Sequence, residues 1–122
     1  MTNNDKIKII TQVVCDYFHL TEAEIHHRCR KRRLCEPRHW VFYFARKHTT
    51  ASFEAIGAHF DRDHATVMHG SKTMTNLITH NGYETTFLKL DGLISGRIKT
   101  DNLNEFANHI GNFMIYNEAL TQ

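Results

Sequence analysis

Phe60-Asp61-Arg62-Asp63-His64-Ala65-Thr66-Val67-Met68-His69-Gly70-Ser71-Lys72 reads as a tight turn feeding a helix whose first residues point outward. Asp63 is placed to act as N-cap, its carboxylate accepting a hydrogen bond from an amide of the first turn. Val67, Met74, Leu77 and Ile78, with the small Gly70 and Ser71 between them, fall on one apolar stripe at helical spacing. Ala65, Met68, His69, Lys72, Thr73 and Asn76 recur at i, i+3, i+4 on the other side, a face of small polar and basic groups. A helix over about 63–80 with one packing face and one such mixed face suits a DNA major groove. Ser52 caps a shorter segment ahead of it, Phe53 to Phe60. Helix, turn, longer helix is the order of a helix-turn-helix.

Working outward, Trp40-Val41-Phe42-Tyr43-Phe44-Ala45 is too apolar for a surface helix, so it marks the central helix, buried on most sides. Its aromatics serve packing in preference to base stacking, the arrangement a single-strand binder would use. Pro37 suits the first turn of that helix, where its missing amide is harmless. Arg46 and Lys47 suit its C-terminus. Upstream, the loop 28–33 is cationic at five of six positions, Arg28, Arg30, Lys31, Arg32 and Arg33. Beside a helix-turn-helix such a loop can neutralise phosphates and enter the electronegative minor groove. Ile7, Ile10, Val13, Val14, Tyr17 and Phe18 mark an amphipathic helix from Asp5 to Phe18. Thr21 with Glu24 forms a capping box, and Leu20 with Ile25 a hydrophobic staple, for a second helix ending near Cys29. Downstream, Asn81-Gly82 is a turn. A closing helix over Tyr83 to Ile94 follows, weakened by Gly92 and Gly96. Asp101-Asn102 caps one more helix, to about Asn117, with Leu103, Phe106, Ile110, Phe113 and Met114 on one side.

Ile56-Gly57, Phe60, Arg62-Asp63-His64-x-Thr66-Val67-x-His69 and Lys72 together resemble the signature of the C-terminal DNA-binding domain (domain IV) of the bacterial replication initiator DnaA family. The resemblance runs roughly from Ile10 to Ile98. It implies an all-α, Trp-repressor-like domain of six or seven helices, here with an extra C-terminal helix. By the same resemblance Arg30 aligns with a minor-groove arginine and Arg32 with a phosphate-contacting position, with Lys31 and Arg33 in the same loop. Arg62, Asp63, His64, Ala65 and Thr66 align with the major-groove edge, His69 lies one turn on, and Arg46 and Lys72 clamp phosphate. The chain departs from the family pattern twice. The turn between Phe60 and Arg62 is one residue shorter, and Ala65 stands where the family has a Thr or Ser that meets a base.

With 122 residues, 41% apolar and 23% charged, the chain is sized and composed as one soluble domain. We divide it into a DNA-binding region, 1–99, and an extension, 100–122, that packs on the core or mediates a homodimer. The net charge of +2 hides an asymmetry: His26 to Lys72 holds ten Lys/Arg against four Asp/Glu, and the remainder five against nine. A basic middle in an acidic frame points to a polyanion-binding face. No apolar run reaches the ~18–20 residues of a membrane span, and Met1 to Asp5 lacks a signal-peptide pattern. Cys15, Cys29 and Cys35 fit a reducing, cytoplasmic and nucleoid-associated setting. Ten histidines invite a metal, but His26, His27, Cys29 and Cys35 follow no zinc spacing, and His64 with His69 are five apart. No phosphate-cradling Gly-rich loop occurs, which excludes nucleotide. Nor does a nucleophile–base pattern, so the expectation is a non-enzyme without cofactor or metal. Sequence-specific double-stranded DNA binding, serving replication initiation control or transcription regulation, is the expected function. The alternative is a protein–protein adaptor descended from a DNA-binding domain.

Overall fold

The computed structural model describes the backbone of residues 1–27 and 32–110, with side chains for residues 1–27 and 33–101. Six helices follow in order: α1 (Asn3–Phe18), α2 (Glu22–His26), α3 (Arg32–His48), α4 (Phe53–His59), α5 (His64–His80) and α6 (Glu84–Ile110). Among the described residues all regular structure is helical, as the sequence patterns require.

Local chemistry sets the helix starts. Thr2 and Asp5 form a reciprocal capping box on α1, and Thr21 and Glu24 form another on α2. Ser52 and Asp63 cap α4 and α5 through Ala55 N–H and Thr66 N–H. Each such cap satisfies first-turn amides that have no partner within the helix. Helix α1 ends at His19 in the left-handed region, φ 57°, where Leu20 N–H closes back on the Cys15 carbonyl at 2.8 Å.

Helix α3 is the centre. Trp40, Val41, Phe44 and Ala45 are wholly buried, and Phe42 nearly so. Trp40 stacks on Phe44, and Phe44 on Phe87 of α6, with centroids 5.5 Å and 5.9 Å apart. Each large side chain so buried contributes about 1.5–3 kcal/mol. Packing thus consumes the rings that a single-strand reading would need exposed. Helix α3 packs chiefly against α5 and α1, α4 packs against α5, and α6 packs against α1.

Three boundaries differ from the sequence expectation. Helix α3 begins at Arg32, so Arg32 and Arg33 are helical and Pro37 is the sixth residue rather than a first-turn one. The added turn is anchored by buried Leu34 and by Arg33, which pairs with Glu24 of α2 at 2.8 Å. Helix α2 correspondingly stops at His26, short of Cys29. At the other end, α6 runs through Gly92, Gly96 and Asp101-Asn102 without the expected break. Both glycines face open space, where each costs only about 1 kcal/mol. The stripe of buried Leu90 and Ile94 with half-buried Tyr83, Phe87 and Ile98 holds the helix together. Leu88 and Leu93, on other sides of the same helix, are exposed. Residues 99 and 100, either side of the expected domain boundary, are consecutive residues of α6. The side chains of Leu103, Phe106 and Ile110, and all of Phe113 and Met114, lie outside what is described.

Candidate nucleic-acid interface

Three backbone hydrogen bonds build the turn between α4 and α5. Phe60 N–H donates to the Gly57 carbonyl (3.0 Å), Asp61 N–H to Ala58 (3.4 Å) and Arg62 N–H to Gly57 (2.8 Å). This is a helix-ending pattern with Asp61 in the left-handed conformation, φ 54°. An aspartate tolerates that region better than most side chains. Gly57 is required for a different reason. A Cβ there would lie 2.3 Å from the Arg62 carbonyl oxygen and 3.2 Å from that of Asp63. The close approach is thus made by the two residues that launch α5.

Asp63 then caps α5, its Oδ1 accepting from Thr66 N–H at 2.8 Å. The Thr66 side chain and amide together hold the Asp63 carboxyl below its ordinary range. Helix α5 divides cleanly. Val67, Gly70 and Met74 are buried, and a Cβ at Gly70 would lie 2.7 Å from the His39 ring and 2.9 Å from that of Phe42. His64, Ala65, Thr66, His69 and Lys72 are all exposed. The expected readers therefore share one accessible side of one helix, beginning at a fixed cap.

The remaining expected residues fall in varied places. Arg30 and Lys31 lie outside the described residues, as does the Arg32 side chain. Arg33 is exposed but paired with Glu24. Arg46 is exposed, donates to the Ala51 carbonyl at 2.8 Å and rests 4.5 Å over the Phe53 ring. Arg62 is half-buried with its guanidinium turned to backbone carbonyls: Phe60 at 2.9 Å, Asp61 at 3.4 Å, and His27 at 2.9 Å. The expected α5 residues and Lys72 are thus accessible outright, and Arg33 and Arg46 are accessible beside existing bonds.

Two residues near the interface were not singled out by sequence. His39 of α3 stands edge-on to His69, with ring centroids 6.3 Å apart. Burial first, then the neighbouring His69 and Arg38, lowers its pKa. Arg38 is buried and donates to the carbonyls of Ile25 (2.9 Å), Glu24 (3.0 Å) and His27. Its signal was present in the sequence, because Arg38 follows buried Leu34 by four and precedes Val41 by three, a core-facing position. Among the described residues, no group of His, Cys, Asp and Glu is arranged to hold a metal ion. Nor is any described helix long and apolar enough to cross a membrane.

Comparison with known proteins agrees with this geometry. The initiator protein DnaA of Flavobacterium psychrophilum is 43% identical over 74 residues, 60% of this chain and 16% of that protein. The corresponding proteins of Desulfatibacillum aliphaticivorans (38% over 74 residues) and Wolbachia pipientis (40% over 73) match over 61% and 59% of this chain. In each case the match spans 16% of the relative's length. The family model described as the bacterial DnaA protein helix-turn-helix matches residues 7–74, from the first buried turn of α1 to the last wholly buried residue of α5. That match covers more than half of the chain and every element that builds the turn, so the chain belongs to the bacterial DnaA helix-turn-helix family.

Proposed function

We propose that this chain binds double-stranded DNA sequence-specifically and does so in the control of replication initiation, the process named for its relatives. The observation that carries the reading is the division of α5. Its cap, Asp63, starts a helix whose buried side is Val67, Gly70 and Met74, while His64, Ala65, Thr66, His69 and Lys72 stand exposed together. His64 and Ala65 would face base edges, and Thr66, Lys72 and Arg46 would meet phosphates. The basic segment with Arg30, Lys31, Arg32 and Arg33 would supply minor-groove and backbone contacts. The module reads DNA without chemistry of its own, and its place of action is the nucleoid. A promoter is an equally suitable target for such a reader, so transcription regulation belongs to the same proposal. Two copies would pair through the region after residue 99, adding two half-sites; sedimentation of the whole chain at tens of micromolar tests that pairing.

Selection of bound sequences from random duplexes, followed by salt titration of the winner, tests the central claim. A recurrent site and a fall in log affinity with log salt of about 0.9 per phosphate contacted are expected. Failure to bind any duplex at low salt would instead make the chain an adaptor that keeps the fold alone.

A further inference from the structure

We propose that Arg62 is a positioning residue for base reading, acting through the turn it clasps instead of touching nucleic acid. This rests on the DNA-binding role proposed above. Three observations converge on Arg62. Its amide is bonded to the Gly57 carbonyl at 2.8 Å, and its own carbonyl is wedged where only a glycine leaves room. Its guanidinium closes on the turn, donating from Nη1 to the Phe60 and Asp61 carbonyls. The other arm, Nη2, crosses to the His27 carbonyl at 2.9 Å, 35 residues away in sequence.

His27 is no arbitrary anchor. It is the C-cap of α2, where unsatisfied carbonyls carry partial negative charge that favours cations. Buried Arg38 grips the same end through the Glu24, Ile25 and His27 carbonyls, which fixes α2 to α3. Arg62 therefore fastens the turn to a point that the core already holds. The next residue, Asp63, caps α5, and His64, Ala65 and Thr66 follow at once. A tilt of the turn is transmitted directly to where those side chains point.

The planar fork matters here. Two arms of one guanidinium reach carbonyls on two different elements, which a lysine ammonium does not reproduce. A phosphate contact, by contrast, keeps most of its strength when Lys replaces Arg, since the charge remains. Arg62→Lys therefore separates the two roles. The readout is the ratio of affinities for the selected duplex and for one altered at the base read by His64, well below the thermal midpoint. Positioning predicts that Arg62→Lys and Arg62→Ala both lower this ratio by about tenfold, a loss on the scale of one base contact. The salt slope stays as in wild type. In a His64→Ala background the same substitutions then have little further effect. In the DNA-free protein, the Thr66 amide, bonded to Asp63, exchanges faster in Arg62→Lys.

An unchanged ratio in Arg62→Lys overturns the proposal. So does a salt slope reduced by about 0.9 in Arg62→Ala with Arg62→Lys like wild type, the mark of a phosphate contact. Destabilisation alone would lower the midpoint and leave the ratio intact, which also counts against it. If wild type binds no duplex, the proposed function fails first and takes the base-reading role with it. If wild type binds and only the ratio fails to move, the positioning role alone is lost.

Discussion

Replacing Gly57 by alanine should destabilise the domain, although alanine is the better helix former by about 1 kcal/mol. The new Cβ would sit 2.3 Å from the Arg62 carbonyl oxygen, against an ordinary carbon–oxygen contact of about 3.3–3.6 Å. The turn must retreat by roughly 1 Å, and what blocks it is backbone, which cannot swing aside as a side-chain tip would. Arg62 N–H is held on the Gly57 carbonyl itself, so the retreat also stretches or breaks a bond worth about 1 kcal/mol. Overpacking of this kind costs about 1–3 kcal/mol. Adding the lost bond and subtracting the helix gain leaves a net loss of about 1–3 kcal/mol. For a domain of this size that is a fall in Tm of roughly 5–20 °C. Gly96→Ala is the internal control. It is also helical, but a Cβ there meets nothing within 4 Å, so it should gain about 0.4–1 kcal/mol. Thermal melts of the three proteins decide the matter. A Gly57→Ala protein as stable as wild type would show that the turn is free to yield, and the reasoning about the close approach would be wrong.

His64→Ala should leave Tm nearly unchanged, because the imidazole is exposed, yet relax base discrimination by about 1–3 kcal/mol in a binding assay with matched and altered duplexes; a large fall in Tm would contradict this placement. Stability should decline as pH falls below about 6.5. His39, His48 and His59 all have pKa values lowered below 6.5 in the fold, in each case chiefly by burial. For groups depressed on folding, the unfolded chain binds protons first, so their contribution is intact above 6.5 and lost as pH drops through the folded values. Denaturant midpoints at pH 7.5, 6 and 5 should fall in that order, and a flat series would refute it. Cys15, buried and with its thiol pushed up to about 11 by burial and then by Glu22, Asp16 and Glu24, should resist alkylation of the folded protein at pH 8. Peptide mapping should find it modified only after unfolding.

Much of the fold was legible because it is written in local chemistry. Asp63, Ser52 and the Thr21–Glu24 pair announce helix starts by side chains that satisfy amides a few residues away, and all three signals hold. The buried face of α5 was legible for a similar reason, since helical spacing alone groups Val67, Gly70 and Met74. What escaped were features decided by distant partners. The start of α3 at Arg32 depends on Glu24, nine residues before the Arg33 that it pairs with, and on a buried arginine whose acceptors belong to α2. Gly92 and Gly96 argued for a break in α6, but a stripe packed across the core outweighs two exposed glycines. Arg62 illustrates the limit best. Nothing local in its motif names the His27 carbonyl, 35 residues away, to which its guanidinium donates.

The arrangement of α5 has a consequence for how such a reader changes over time. The core rests on α1, α3 and the buried stripes of α4, α5 and α6, and none of the exposed residues of α5 takes part in it. Substitutions at His64 and Ala65 are therefore close to free of folding cost, and typical surface changes stay within about 0.5 kcal/mol. On the proposed reading, a lineage carrying this scaffold would retarget one base at a time through intermediates that all fold, as long as Gly57 and Asp63 keep the turn and cap in place.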